Sequence, residues 1–243
     1  MPILNHDGAS LYYEETGGGI PLLLLAPGGL NSSIAFWGRT PTNPLETFAG
    51  EYRVIAMDQR NADRSRGPLD PVDPWGTYAR DQMAVLDHLG IDRFLVAGCC
   101  IGSSFILRLI HDYPQRVAAG ILMQPIGEDE TNVGHFGEAT WAPWGKNLQE
   151  EGATFSQETL ARFGRAMFDP GFVFSVSREF CAAIETPLLL MYGNDRAHPR
   201  GTSVELQGML KNLEVIERWR DAEHVDAAVA GMRAFLAKHA RQA

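Results

Sequence analysis

The chain has only three cysteines, Cys99, Cys100 and Cys181, in 243 residues. Cys99 and Cys100 are neighbours and badly placed to bond to each other. An odd number without a framework points to free thiols in a reducing compartment, and a cytoplasmic location is expected. No Cys/His spacing resembles a zinc site. Basic runs are missing too. With a formal net charge of -9, nucleic acid and anionic membrane surfaces are poor partners. No apolar run is long enough to cross a bilayer; the longest, Ile20 to Ala26, has the length of a buried strand. Met1 to Asp7 lacks the basic and apolar regions of a signal peptide, so none is expected. The sequence has no internal repeat and no low-complexity tract.

What is present is an alternation of apolar strands and amphipathic helices. Strand patterns fall at Ala9 to Glu15, Leu22 to Ala26, Tyr52 to Met57, Phe94 to Ala97, Val117 to Met123, Pro187 to Tyr192 and Leu213 to Trp219. Helical spacing falls at Thr77 to Leu89, closed by Gly90, and at Ser103 to His111, Val204 to Leu210 and Val225 to His239. This order predicts an α/β fold, a mostly parallel sheet with helices on both faces. Residues 125–186 break the rhythm with turn residues, scattered aromatics and short helical patches such as Gln157 to Met167. They read as an insertion, leaving 1–124 and 187–243 as the core domain. The aromatics serve first as the insertion's own core; Trp141 and Trp144 are also candidates to line an apolar substrate pocket.

One stretch organises the rest. Phe94 to Ala97 runs into Gly98-Cys99-Cys100-Ile101-Gly102 and then into a helix. Small residues there allow a very tight turn. A strand–turn–helix of this kind lifts one side chain, here that of Cys100, above a sheet edge, as in a nucleophile elbow. A thiol nucleophile needs a base, and the base needs an orienting acid. Asp195 and His224 each follow a predicted strand, so they can meet Cys100 at one sheet edge. His224 is expected as base and Asp195 as acid, with His198 and Asp129 as the lesser candidates for those roles. Cys99 should point away and pack.

These residues carry a resemblance. With the Pro27-Gly28-Gly29 loop, Asp58 to Ser65, Pro187 to Pro199 and His224, the chain resembles the α/β-hydrolase fold superfamily over nearly its whole length. The nucleophile is Cys, as in dienelactone hydrolases, while the remainder looks more like single-cap ester and C–C hydrolases. The resemblance implies an eight-stranded-type sheet, a short cap formed by the insertion, and oxyanion donors from the amides of Gly29, or its neighbour Leu30, and Ile101. The superfamily's Asp-x-Arg-Gly-x-Gly-x-Ser reads here Asp58-Gln59-Arg60-Asn61-Ala62-Asp63-Arg64-Ser65, with both glycines replaced. That loop reads first as a surface turn held by ion pairs; Arg60, Asp63 and Arg64 are also candidates to touch an anionic substrate.

The expectation is a hydrolase that needs no cofactor and no metal, acting on a small activated ester, lactone or thioester through a thioacyl intermediate. An acyltransferase or a C–C bond hydrolase would use the same residues, and a non-catalytic ligand sensor would use the same scaffold. The expected partner is a small-molecule substrate, with no nucleic acid and no membrane; a homodimer is compatible with the sequence.

Overall fold

In a computed structural model, residues 2–243 are described. The strands are β1 (Ile3–His6), β2 (Ala9–Thr16), β3 (Pro21–Leu25), β4 (Arg53–Met57), β5 (Phe94–Cys99), β6 (Val117–Met123), β7 (Leu188–Met191) and β8 (Leu213–Ile216). They form an eight-stranded sheet in the order β1-β2-β4-β3-β5-β6-β7-β8. β1 and β2 are antiparallel, and β3 to β8 run parallel. The continuous apolar runs take the middle: every residue of β5 and of β6 is buried, as a strand covered on both faces requires. The short edge strand β1, which the sequence patterns do not reveal, is half exposed.

Register decides where the chemistry can sit. Leu25 pairs with Gly98, Cys99 with Met123 and Met123 with Met191. The carboxyl ends of β3, β5, β6 and β7 are therefore level, and the residues that follow emerge along one edge. After β3 the chain turns to β4 on one side and then crosses back to β5 on the other. That reversal opens a crevice between the loops after β3 and β5, where ligands of open α/β sheets bind.

Helix α1 (Pro44–Phe48) is short; α2 (Pro74–His88) and α3 (Ile101–Asp112) are the first long helices. Asp73 caps α2, accepting the Gly76 amide at 3.0 Å, with Pro74 as its first residue; both features start helices well. Trp75 and Tyr78 of α2 pack on Phe105 of α3, centroids 5.4 and 5.0 Å apart. Phe105 is buried, and its replacement by Ala would cost about 3–5 kcal/mol.

The insertion between β6 and β7 holds α4 (Glu138–Glu150), α5 (Gln157–Phe168) and α6 (Arg178–Ala183). It is more helical than its turn-rich sequence predicts, because aromatic packing stabilises α4 despite Pro143. Trp144 stacks on Phe163 at 5.3 Å. Two hydrogen bonds dock the insertion on the core helices: Trp75 Nε1 donates to the Met167 carbonyl (3.1 Å) and Ser175 Oγ to the Ser104 carbonyl (2.8 Å). The remaining helices are α7 (Arg200–Met209) and α8 (Val225–His239). Among the described residues, no helix is long and apolar enough to cross a membrane.

Candidate active site

Cys100 stands between the last residue of β5 and the first of α3, with φ 60° and ψ -121°. A non-glycine residue in that region is strained by about 1–3 kcal/mol and persists only where its surroundings hold it. Here the Cys100 amide donates to the Met123 carbonyl (2.9 Å), and its carbonyl accepts the Ser103 amide (3.1 Å). Ser103 Oγ reaches the carbonyls of Gly98 and Met123, both at 3.2 Å. Close approach explains the glycines: a Cβ on Gly102 would lie 2.1 Å from the Leu25 carbonyl oxygen, and one on Gly98 2.4 Å from that of Gly102. Helix α3 thus rests directly on the ends of β3 and β5, and the thiol is presented at the crevice.

The loop after β7 supplies the partner. Asp195 and His198 close a turn through their own backbones, His198 N to the Asp195 carbonyl at 3.1 Å and Asp195 N to the His198 carbonyl at 3.2 Å. Within it, Nδ1 of His198 lies 2.7 Å from Asp195 Oδ1. The same oxygen accepts the amides of Ala197 and His198, each at 3.1 Å. An ionised carboxylate only accepts, so the Nδ1 carries the proton. Nε2 is buried without a hydrogen-bond partner, and the His198 ring lies close enough to Cys100 for each to shift the other's acidity. Asn132, from the start of the insertion, ties the loop down by donating to the carbonyls of Gly127 (2.8 Å) and Arg196 (3.0 Å).

The electrostatics follow from that contact. Burial pushes the Cys100 thiol up, but His198 and then the backbone amides of Gly28 and Ile101 pull harder, and the net shift is down. Burial pulls the His198 imidazole down, while Cys100 and Asp195 raise it, and the net shift is up. The two groups move toward a thiolate–imidazolium pair. Asp195 is raised by burial but lowered more by Arg220 and His198. Cys99 is buried on the other side of the strand, its thiol pushed well up by burial, and burial takes the thiol of Cys181 up to about 12.

Several expectations need correction. The imidazole beside Cys100 is that of His198; His224 instead stands at the N-cap position of α8 and its ring pairs with Asp221. The loop after β8 is drawn in elsewhere, by buried Trp219, whose Nε1 donates to the Tyr192 carbonyl at 2.8 Å. On the loop after β3, Gly29 and Leu30 open a 3-10 turn (Gly29–Asn31), and the preceding Gly28 amide also acts on the sulfur. Arg60 is not free for substrate: it is buried and gives Asp81 two hydrogen bonds of 2.7 Å. Arg64 covers the buried Asp58 at 2.6 Å, and Asp63 sits beside it. Trp141 lies on Gly164 and Trp144 on Phe163, so both rings are used in packing α4 on α5. Asp129 binds Thr131 rather than a histidine. His198 had one signal in the sequence, its i,i+3 spacing from Asp195. Arg220, which reaches Asp195 at 2.7 Å, had none.

Comparison with known proteins agrees with this architecture. A family model described as alpha/beta hydrolase fold matches residues 21–167, more than half of the chain. A protein named as carbamate hydrolase RutD, from Azorhizobium caulinodans, is 34% identical over 117 residues, covering 48% of this chain and 42% of that protein. A zearalenone hydrolase from Cladophialophora bantiana is 30% identical over 125 residues, covering 49% and 44%. The chain thus spans less than half the length of these relatives. Among solved structures, a meta-cleavage product hydrolase from Pseudomonas fluorescens superposes with a TM-score of 0.73 at 18% identity, covering 98% of both chains. An enol-lactonase from Burkholderia xenovorans does so with 0.69 at 17%, covering 97% of this chain and 100% of its own. At that identity the likeness is one of fold. With the family model matched across the sheet's centre and the elbow, the chain belongs to the alpha/beta hydrolase fold family.

Proposed function

We propose that the protein hydrolyses a small activated ester, lactone or thioester, with Cys100 as nucleophile, His198 as general base and acid, and Asp195 as the group that orients the imidazole. The observation that carries this reading is the chain of contacts from Cys100 through His198 to Asp195 at a strained strand–helix turn. The relatives named as a carbamate hydrolase and a zearalenone hydrolase support hydrolysis as the reaction class.

In this mechanism the Cys100 thiolate attacks the carbonyl carbon, and a C–S bond forms as the carbonyl π pair moves to oxygen. The amides of Gly28 and Ile101, which already favour negative charge on the sulfur, are the nearest donors for that oxyanion. Its collapse breaks the bond to the leaving group, which takes the proton from His198 Nε2. A water then gives its proton to Nε2 and attacks the thioester, and collapse returns the thiolate and releases the acid. Thiolate is itself a good leaving group, so the first collapse favours substrates with good leaving groups over amides. The insertion acts as a lid, held over the elbow helix by Ser175 and against the His198 loop by Asn132.

The test is mass spectrometry of the intact protein after exposure to a panel of activated esters, lactones and thioesters. An acyl adduct mapped to Cys100, absent in Cys100→Ala, is expected. Wild-type turnover by Cys100→Ala would end the reading.

A further inference from the structure

The acid of the site has a cation behind it. Asp195 divides its carboxylate: Oδ1 serves His198 and the turn amides, while Oδ2 takes Nη1 of Arg220 at 2.7 Å. Arg220 comes from the loop after β8, the segment expected to supply the base. We propose that Arg220 is a positioning residue, holding Asp195 in the orientation from which it sets the His198 ring against Cys100. This rests on the Cys100–His198–Asp195 reading above.

Two further observations support the role. Arg220 is delivered to Asp195 by a fixed backbone, because its neighbour Trp219 is buried and hydrogen-bonded to the Tyr192 carbonyl, at the root of the loop that carries Asp195. Its acidic neighbours are engaged elsewhere: Asp221 by His224, and Glu217 by Arg200 at 2.7 Å. Among the described residues, Asp195 is its one ion-pair partner. A guanidinium directs its hydrogen bonds in a rigid plane, which an ammonium does not. Besides Cys100, His198, Asp195 and Arg220 themselves, the buried Cys99 acts on this cluster from the other side of β5. Without Arg220, Oδ2 has no anchor and the carboxylate can turn away from Nδ1. The imidazole then loses its aim, and the thiol returns toward an ordinary cysteine.

The experiment needs no substrate. The rate at which iodoacetamide alkylates Cys100, mapped by mass spectrometry, is followed against pH in wild type, Arg220→Ala, Arg220→Lys and His198→Ala, alongside thermal melts. Arg220→Ala is expected to move the midpoint up by about one pH unit, about tenfold in rate at neutral pH, and Arg220→Lys to recover part of it. Melting should change little, since the pair is partly exposed and such pairs add little stability. If Arg220→Ala does unfold, Arg220→Met, which keeps the packed stem, takes its place with the same expectation. A wild-type midpoint in the folded Arg220 variant, with His198→Ala shifted, overturns the positioning role alone. A wild-type midpoint in His198→Ala overturns the underlying Cys100–His198 reading instead.

Discussion

His198 takes its orienting carboxylate from Asp195, three residues earlier in the same turn, at 2.7 Å. Acid and base therefore share one loop, and the geometry between them is local. The thiol they serve is brought from β5 by strand pairing. Loop and thiol meet because the strands end level.

Replacing each histidine separates the two candidates for the base. His198→Ala should lower turnover of an activated ester by about 10²- to 10⁴-fold. His224→Ala should leave turnover within about twofold, since its ring sits with Asp221. Equal losses in both variants would contradict the arrangement.

Acidity carries its own signature. The Cys100 pKa is lowered and that of His198 raised. Alkylation of Cys100 should therefore rise with pH through a midpoint below the free thiol value of about 8.5. Ester turnover also needs the imidazolium proton, so it should fall again at alkaline pH as His198 deprotonates. In His198→Ala the opposing pull of burial dominates, and the alkylation midpoint should move up. Rate measurements across pH 5 to 10, roughly spanning the ordinary imidazole and thiol values, check both limbs.

Gly193 gives a steric test of the loop. A Cβ there would lie 2.4 Å from the His198 carbonyl oxygen and 2.5 Å from its Cβ. Gly193→Ala should displace the imidazole and slow Cys100 alkylation about tenfold or more, at a stability cost of about 1–3 kcal/mol. Denaturant melts and iodoacetamide kinetics on the same sample distinguish the two effects.

The Arg60–Asp81 pair is a matter of folding. Both side chains are buried. Burial pushes the Asp81 carboxyl up more than Arg60 pulls it down, so the pair is held at a desolvation cost. Asp81→Ala should leave a buried guanidinium uncompensated and lose about 3–5 kcal/mol. The double change Arg60→Met with Asp81→Leu should lose less than either single one. Urea unfolding of the three variants checks this, and a wild-type stability for Asp81→Ala would contradict it.

Much of the scaffold was legible in order. β6 and α8 run over Val117–Met123 and Val225–His239, the bounds that apolar runs and helical spacing predict, because both elements bury one continuous pattern. The edge strand β1 was not legible, since Ile3–His6 is stabilised by pairing with β2 rather than by its own burial. Helix α4 was obscured by Pro143 and by aromatics whose partners lie on α5.

The site divides along the same line. By itself the sequence determined the elbow, because glycines flanking Cys100 are needed wherever helix and strand ends touch, and it determined that Asp195 follows a buried strand. Only the tertiary structure decided which imidazole meets the sulfur. His198 and His224 both lie on loops beyond strand ends, and the i,i+3 spacing of His198 from Asp195 does not by itself say which ring reaches the thiol. The choice was made by long-range contacts that no local pattern encodes: Trp219 fastened to Tyr192, Arg220 reaching Asp195, and Asn132 holding the Arg196 carbonyl.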